Sequence, residues 1–492
     1  MIALDAADVR LVERWMDDGS LPTLAKLKAQ GAFGRLDGLA EVMSGATWPT
    51  FYTGELPTAH GRYSYLQWRA QRMAFERPRE EWIPARPFWR EIADRRCKVL
   101  VVDPPSTYSP SPIEGIEIVG YAAHDRLHPP TSYPGDALRR LEREFGVAPL
   151  GPEAYSSSGD LRLTNALLDS TERLAAVSET LLRREPWSFA LVCLTATHRA
   201  GHRLWHAPSG DGDDGVGPSD ALKRVYVACD AAVGRLVDAA GAGTSCIVFA
   251  LHGMQENTSR LAILDAMLER VLGAAPRRTR RPLAVPLLDM VPVAVRSRVK
   301  SRLPLPLQDR LSNHRATSGI DWQSRKAFTL ISDLPGYIRL NVRGREARGI
   351  VEDSGRERQE LVQRIREGLA SFVDSVTGQP VVDRVVVVPE VFGRGPAEHL
   401  LPDLSVRWSS TAPGYGAVES PEYGVVEWPT AGGQPTGRSG NHRNDGFMLG
   451  VGRRFAPGAV IGGARTLDLR PTALALLGIE DRVRRPGRSL VS

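Results

Sequence analysis

Two histidine-bearing stretches each follow directly on a short apolar run. Thr197-His198-Arg199-Ala200-Gly201-His202 comes after Phe189-Ala190-Leu191-Val192-Cys193-Leu194, and Leu251-His252-Gly253-Met254 comes after Cys246-Ile247-Val248-Phe249-Ala250. Runs of this length and character read as buried strands of a sheet covered by helices. In open sheets of that kind ligands gather just beyond the carboxyl ends of the strands, which is where these histidines fall. The opening run Met1-Ile2-Ala3-Leu4 ends in the same way, on Asp5, and a further histidine, His442, lies in the glycine-flanked loop Ser439-Gly440-Asn441-His442-Arg443. One aspartate and several histidines, far apart in sequence and placed at strand ends or in loops, suit a metal-dependent hydrolase and are not what an ordinary core needs.

The rest of the chain fits the same frame. Strands are expected over 1–5, 98–103, 188–195 and 246–251, and helices over about 8–18, from 21, and over 164–184, 219–239 and 356–376. In the last of these Leu361, Ile365, Leu369, Phe372, Val373 and Val376 share one face at helical spacing. Strands alternating with amphipathic helices predict an α/β three-layer sandwich around a mostly parallel central sheet. Between 256 and 335 proline-rich and basic pieces alternate, which reads as an inserted lid or cap of irregular structure; Gly336-Tyr337-Ile338-Arg339-Leu340-Asn341 after it reads as a strand with two exposed polar positions or, as the alternative, as a strand near the substrate pocket. The chain therefore divides into a core of 1–255 and 430–492, the insertion 256–335, and an ancillary α/β segment 336–429 of the same domain. Near the end, Asp468, Pro471 and Gly478 bracket an apolar helix.

Composition excludes several classes of function. With 492 residues, 42% hydrophobic and 24% charged, the chain is an ordinary globular protein with a large core. Its net charge of +6 is carried mostly by arginine, and the densest run, Arg277-Arg278-Thr279-Arg280-Arg281, lies in a proline-rich stretch, where it reads as a solvated loop. No basic face interleaved with aromatics is present, so no nucleic-acid polymer is expected as a partner. The cysteines Cys97, Cys193, Cys229 and Cys246 have no paired spacing, and Cys193 and Cys246 sit inside apolar runs; a reducing, cytoplasmic compartment is expected. The sequence shows no signal peptide and no run long enough to span a bilayer. Only four residues precede Asp5, short for a central strand, which leaves the true start open to lie upstream.

Taken together, these pieces resemble the alkaline phosphatase superfamily, and within it the type I phosphodiesterase/nucleotide pyrophosphatase-like branch. The landmarks run almost the length of the chain: Asp5; Leu21-Pro22-Thr23-Leu24; Ser44-Gly45-Ala46-Thr47-Trp48-Pro49-Thr50-Phe51-Tyr52-Thr53-Gly54, with Pro57 and His60-Gly61 after it; the two histidine stretches; His442; and the Asp468 to Gly478 ending. The resemblance implies a Ser or Thr nucleophile at the start of a helix, forming a covalent intermediate with phosphorus. Counting back from Thr53-Gly54 assigns this role to Ser44, with Thr47 as the alternative.

The resemblance also implies two metal sites. In the first, where the family takes an Asp, a His four residues on and a distant His, this chain has His198, His202 and His442, an all-histidine set suited to zinc, with manganese as the alternative. The second takes the aspartate of the first strand, here Asp5, and an adjacent Asp-His pair, which in this chain reads Leu251-His252. One carboxylate is lost, and Glu256 or Asn257 stands near enough in sequence to replace it. The implied activity is metal-dependent hydrolysis of small-molecule phosphate esters, diesters foremost, with one or two divalent ions per chain. The alternatives are sulfate or phosphonate ester hydrolysis or phosphoryl transfer on the same fold, and a catalytically degenerate metal-binding protein, for which Leu251 speaks.

Overall fold

The structure, a computed structural model, describes all residues except 124–126, 151–156, 207–218, 274–302, 430–433, 435, 484 and 492. At its centre Cys246–Ala250, Ile2–Leu4, Phe189–Leu194, Val99–Val102 and Gly115–Val119 lie side by side in that order, every neighbouring pair parallel. Antiparallel strands extend the sheet on both flanks. Gly446–Val451 pairs with Cys246–Ala250 and with Ala32–Asp37, and Thr131–Tyr133 pairs with Gly115–Val119.

Successive side chains of a strand point to opposite faces, and the central strands are apolar on both. Ile2, Leu4, Leu100, Val102, Val192, Leu194 and Val248 pack with the helices Val9–Asp17, Pro22–Gln30, Ser157–Arg184 and Asp220–Ala240. Ala3, Val101, Leu191, Cys193, Ile247, Phe249 and Leu251 pack with Thr47–Thr53, Phe88–Ala93 and Leu469–Leu476. This is the three-layer α/β arrangement that the apolar runs imply. Asp8 caps the first helix through the N–H groups of Arg10 and Leu11, which turns the chain sharply away from Asp5.

A second, antiparallel sheet runs in the order Ala327–Thr329, Gly336–Leu340, Leu404–Trp408, Val382–Val387. One of its faces is covered by the helices Leu264–Leu272 and Arg356–Ala370. Of the segment 256–335, residues 274–302, with the arginine run 277–281, fall outside the described residues. Its described part forms the helices Leu264–Leu272 and Leu305–Thr317 and the strand Ala327–Thr329. The first helix and the strand share their core with residues of 336–429.

The strand at 336–340 is present, but its polar positions are not exposed: Arg339 and Asn341 are buried. Arg339 is paired with Glu346 at 2.8 Å, and the Asn341 amide donates to the carbonyls of Trp322, Arg325 and Arg348. Alternation of residue types cannot distinguish a solvated polar position from one that a second buried layer satisfies.

His60 ends the short helix Pro57–His60 and is buried. The N–H of Arg62 donates to its Nδ1 at 3.0 Å, which fixes the ring proton on Nε2, 3.1 Å from Thr50 Oγ1. Burial, and then the Arg62 charge, push its pKa down to about 3. Below its ordinary value near 6.5 the unfolded chain takes up a proton that the folded chain refuses, so this site loses stability as the pH falls from about 6.5 towards 3. The expected slope is at most about 1.4 kcal/mol per pH unit, read from urea unfolding between neutral pH and pH 4. His60→Asn should flatten it, and an equally steep variant would assign the acid sensitivity elsewhere.

Candidate metal centre and active site

Two strand ends and one antiparallel pair of strands distant in sequence bring the histidines together. The helix Ala196–Arg203 starts where Phe189–Leu194 stops, placing His198 and His202 on successive turns of one face. Residues Gly253–Glu256 pair antiparallel with Gly440–Arg443, setting His442 opposite Met254. Gly440 lets the two pieces meet, since a Cβ there would stand 1.9 Å from the carbonyl oxygen of Gly201. The ring centroids of His198, His202 and His442 lie 4.7–5.0 Å apart, and all three residues are buried.

Hydrogen bonding fixes the tautomers. His198 Nδ1 faces the Asp5 carboxylate at 2.9 Å, and His202 Nδ1 faces the Gly440 carbonyl at 2.9 Å, so each ring in its neutral form carries its proton on Nδ1. Their Nε2 atoms, left with lone pairs, stand 3.0 Å apart, and His442 Nε2 is 3.0 Å from His198 Nε2. Two lone pairs cannot bond to each other. They converge without repulsion only around a cation, and a tetrahedral ion with bonds of about 2.0–2.1 Å to nitrogen would space them at about 3.3 Å. The donor set therefore fits a zinc-type ion. Burial and the other histidines drive the His442 pKa well below the usual range, so this ring stays neutral and able to ligate.

Asp5 is buried and anionic. Enclosure alone would raise its pKa, but His198, His252 and Trp48 outweigh that and lower it. Both carboxylate oxygens already have partners: Oδ1 accepts from Trp48 Nε1 at 2.9 Å, and Oδ2 meets His198 Nδ1. In this arrangement the carboxylate orients the His198 ring and raises the basicity of its Nε2.

His252 follows Leu251 at the end of its strand, its ring 4.6 Å from that of His442. Both its nitrogens are buried without a hydrogen bond, and burial lowers its pKa to about 4. Leu251 keeps the strand's alternation and packs in the apolar cluster with Ala3, Leu36 and Phe249. Neither nearby polar residue fills the gap. Glu256 pairs with His206 at 3.5 Å, and the Asn257 side chain is used by the Arg438 carbonyl and the Ser259 N–H.

The segment 39–54 closes the other side. Met43 leaves helical geometry, and Ser44 opens a turn, Ser44–Ala46, that runs into the helix Thr47–Thr53. Gly45 permits the close approach of the next loop, since a Cβ there would lie 2.2 Å from the Tyr63 carbonyl oxygen. Trp48, one turn on, ties this segment to Asp5. Ser44 retains 9% exposure, whereas Thr47 is wholly buried with an unpartnered hydroxyl.

Several residues of this site escape sequence reasoning. Asp333 precedes Pro335 in the loop before Gly336–Leu340, pairs with Arg438, and lies in the field of His442 and His198. Enclosure there opposes its ionisation, but the Arg438 guanidinium outweighs it and holds its carboxyl below the usual range. Its only signal is a turn-like Ser332-Asp333-Leu334-Pro335, and Arg438 carries none beyond closeness to His442. Asp103, a strand-end carboxylate, is instead a staple: it accepts the N–H groups of Tyr121, Ala122 and Ala123. His124-Asp125 lies outside the described residues.

Comparison with known proteins follows the same lines. A sequence profile described as type I phosphodiesterase / nucleotide pyrophosphatase matches residues 1–388. No curated protein sequence matches significantly. Among solved structures the chain is similar to phosphonoacetate hydrolase from Sinorhizobium meliloti 1021 in complex with phosphonoformate, with 14% identity and a TM-score of 0.54 over 97% of this chain and 95% of that one. It is also similar to murine ectonucleotide pyrophosphatase / phosphodiesterase 5, with 12% identity and a TM-score of 0.50 over 98% and 95%. At these identities the likeness shows a common fold. Among the described residues no helix is long and apolar enough to cross a membrane.

Proposed function

Because the chain belongs to the type I phosphodiesterase / nucleotide pyrophosphatase family of the alkaline phosphatase superfamily, divalent-metal-dependent enzymes of phosphoester hydrolysis, we propose that it hydrolyses small-molecule phosphate esters, diesters foremost, through a covalent intermediate on Ser44. The observation that carries this reading is the convergence of His198, His202 and His442 with two Nε2 lone pairs held face to face. These three side chains would hold a zinc ion. A bound zinc supplies Lewis-acid polarisation and lowers the pKa of an attached water towards 7.

The chain's own residues do the rest. Asp5 keeps His198 in its ligating tautomer, and Trp48 holds Asp5 against the nucleophile's segment. In the first step a bond forms between Ser44 Oγ and phosphorus while the ester P–O bond breaks; the leaving oxygen gains a proton and Ser44 loses one. In the second step a water oxygen bonds to phosphorus, the Ser44 ester breaks, and Ser44 regains its proton.

Purified protein should contain about one transition metal per chain and release p-nitrophenol faster from a bis(p-nitrophenyl) than from a mono(p-nitrophenyl) phosphate. Stoichiometric metal with no ester turned over would overturn the reading. The likeness to a phosphonoacetate hydrolase supports a second reading, cleavage of a phosphonate, and release of phosphate from phosphonoacetate alone in the same panel would establish it.

The second metal position is the weak one. Leu251 is packed in the core, Asp5 has both oxygens engaged, and only His252 stands with nitrogens unpartnered. Calorimetric titration with Zn²⁺ should show one tight and one substoichiometric site, with activity rising on added Zn²⁺ or Mn²⁺. Leu251→Asp should raise occupancy towards two per chain. Without metal it should lower stability, by an amount on the order of several kcal/mol if the buried carboxylate stays charged. Two tight ions in the natural protein would show that another ligand completes the site.

A further inference from the structure

Tyr337 reaches the reaction site from the second sheet. On the strand Gly336–Leu340, Ile338 and Leu340 point into the core formed with the helices Leu264–Leu272 and Arg356–Ala370. Alternation turns Tyr337 to the opposite face, where it packs with Val42, Met43 and Ala46, the residues that flank Ser44. The placement is rigid. The Tyr63 ring meets Tyr337 edge-on at 5.7 Å, and Ser405 on the neighbouring strand donates to the Val42 carbonyl at 2.7 Å. Tyr337 is 1% exposed, and its hydroxyl makes no well-formed hydrogen bond to any described group; it faces the side chain and the N–H of Ser44.

A phenol buried with an unmet hydroxyl is costly, and a phenylalanine would fill the same space without that cost. The hydroxyl therefore needs an explanation, and the atom it faces supplies one. We propose that Tyr337 is a positioning residue for the reaction at Ser44, its O–H donating to Ser44 Oγ so that a lone pair of that oxygen points at the phosphorus of a bound ester. This rests on the assignment of Ser44 as the nucleophile. The phenol serves as a donor and not as a base, because burial keeps it protonated far above neutral pH. Small errors in the placement of a reacting oxygen cost on the order of 10²-fold in rate.

The test uses four proteins, the natural chain, Tyr337→Phe, Ser44→Ala and the double variant, with bis(p-nitrophenyl) phosphate as substrate and with metal content and melting temperature measured on each. Tyr337→Phe should lower kcat by about 10- to 100-fold, leave KM within about twofold, leave metal content unchanged, and slow the first-turnover burst in proportion to kcat. The double variant should be no less active than Ser44→Ala alone, because orientation has no value once the nucleophile is gone. Natural kcat in Tyr337→Phe, with Ser44→Ala inactive, overturns the proposal alone. A fall in kcat matched by loss of metal or of melting temperature overturns it as well, since that is what a purely structural tyrosine would give. An active Ser44→Ala removes the nucleophile assignment, and this inference with it.

Discussion

Ser44→Ala is expected to lower turnover of a phosphodiester by on the order of 10³-fold or more, the size of effect seen when a covalent nucleophile is removed. The fold should survive. No helix cap depends on the Ser44 side chain, and even a lost cap costs only about 1 kcal/mol. Thr47→Ala should leave most of the activity, because Thr47 is wholly enclosed whereas Ser44 keeps contact with solvent. Steady-state rates of both variants, with circular dichroism and metal analysis as controls, decide the matter. Residual activity in Ser44→Ala together with its loss in Thr47→Ala would transfer the role to Thr47.

His202→Ala and His442→Ala should each strip the chain of its tightly held metal, lowering affinity by on the order of 10²-fold or more and turnover with it. Each removes a buried nitrogen that faces His198 Nε2 at 3.0 Å, and two imidazoles seldom retain a zinc that needs four donors. Asp5→Asn should be milder, about 10- to 100-fold in affinity, because it alters the partner of a ligand and not the ligand itself. Elemental analysis after dialysis against a chelator reads all three variants. Unchanged occupancy in both histidine variants would remove the assignment of this site.

The central strands that end just before Asp5, the His198 helix and His252 were legible in the sequence because they are apolar on both faces and so stand out as short runs. By the resemblance Leu251 stands where a carboxylate is expected, and in the structure its position continues an alternation that already faces the core. The role of Asp5 was harder to read. Spacing places its carboxylate at a strand end but says nothing of Trp48 and His198, which occupy its two oxygens. Asp333 carried no such signal, and the strand of Tyr337 offered a pocket only as an alternative, for a different reason. They reach the site across an antiparallel sheet built from residues 327–408, and no periodicity within one segment reports what lies across from another.

The long-range strand pair that brings His442 opposite Met254 has a consequence for how the protein comes into being. His198 and His202 lie one helical turn apart and leave the ribosome together, whereas His442 is synthesised some two hundred residues later. It can join them only after the strand Gly440–Arg443 has paired with Gly253–Glu256. If these histidines hold an ion, a nascent chain would offer only two of the three nitrogens until residues 440–443 have been made and have docked. On the proposed reading tight metal capture would be a late event of folding, and an ion retained through purification would mark a chain whose strand Gly440–Arg443 has found its partner Gly253–Glu256.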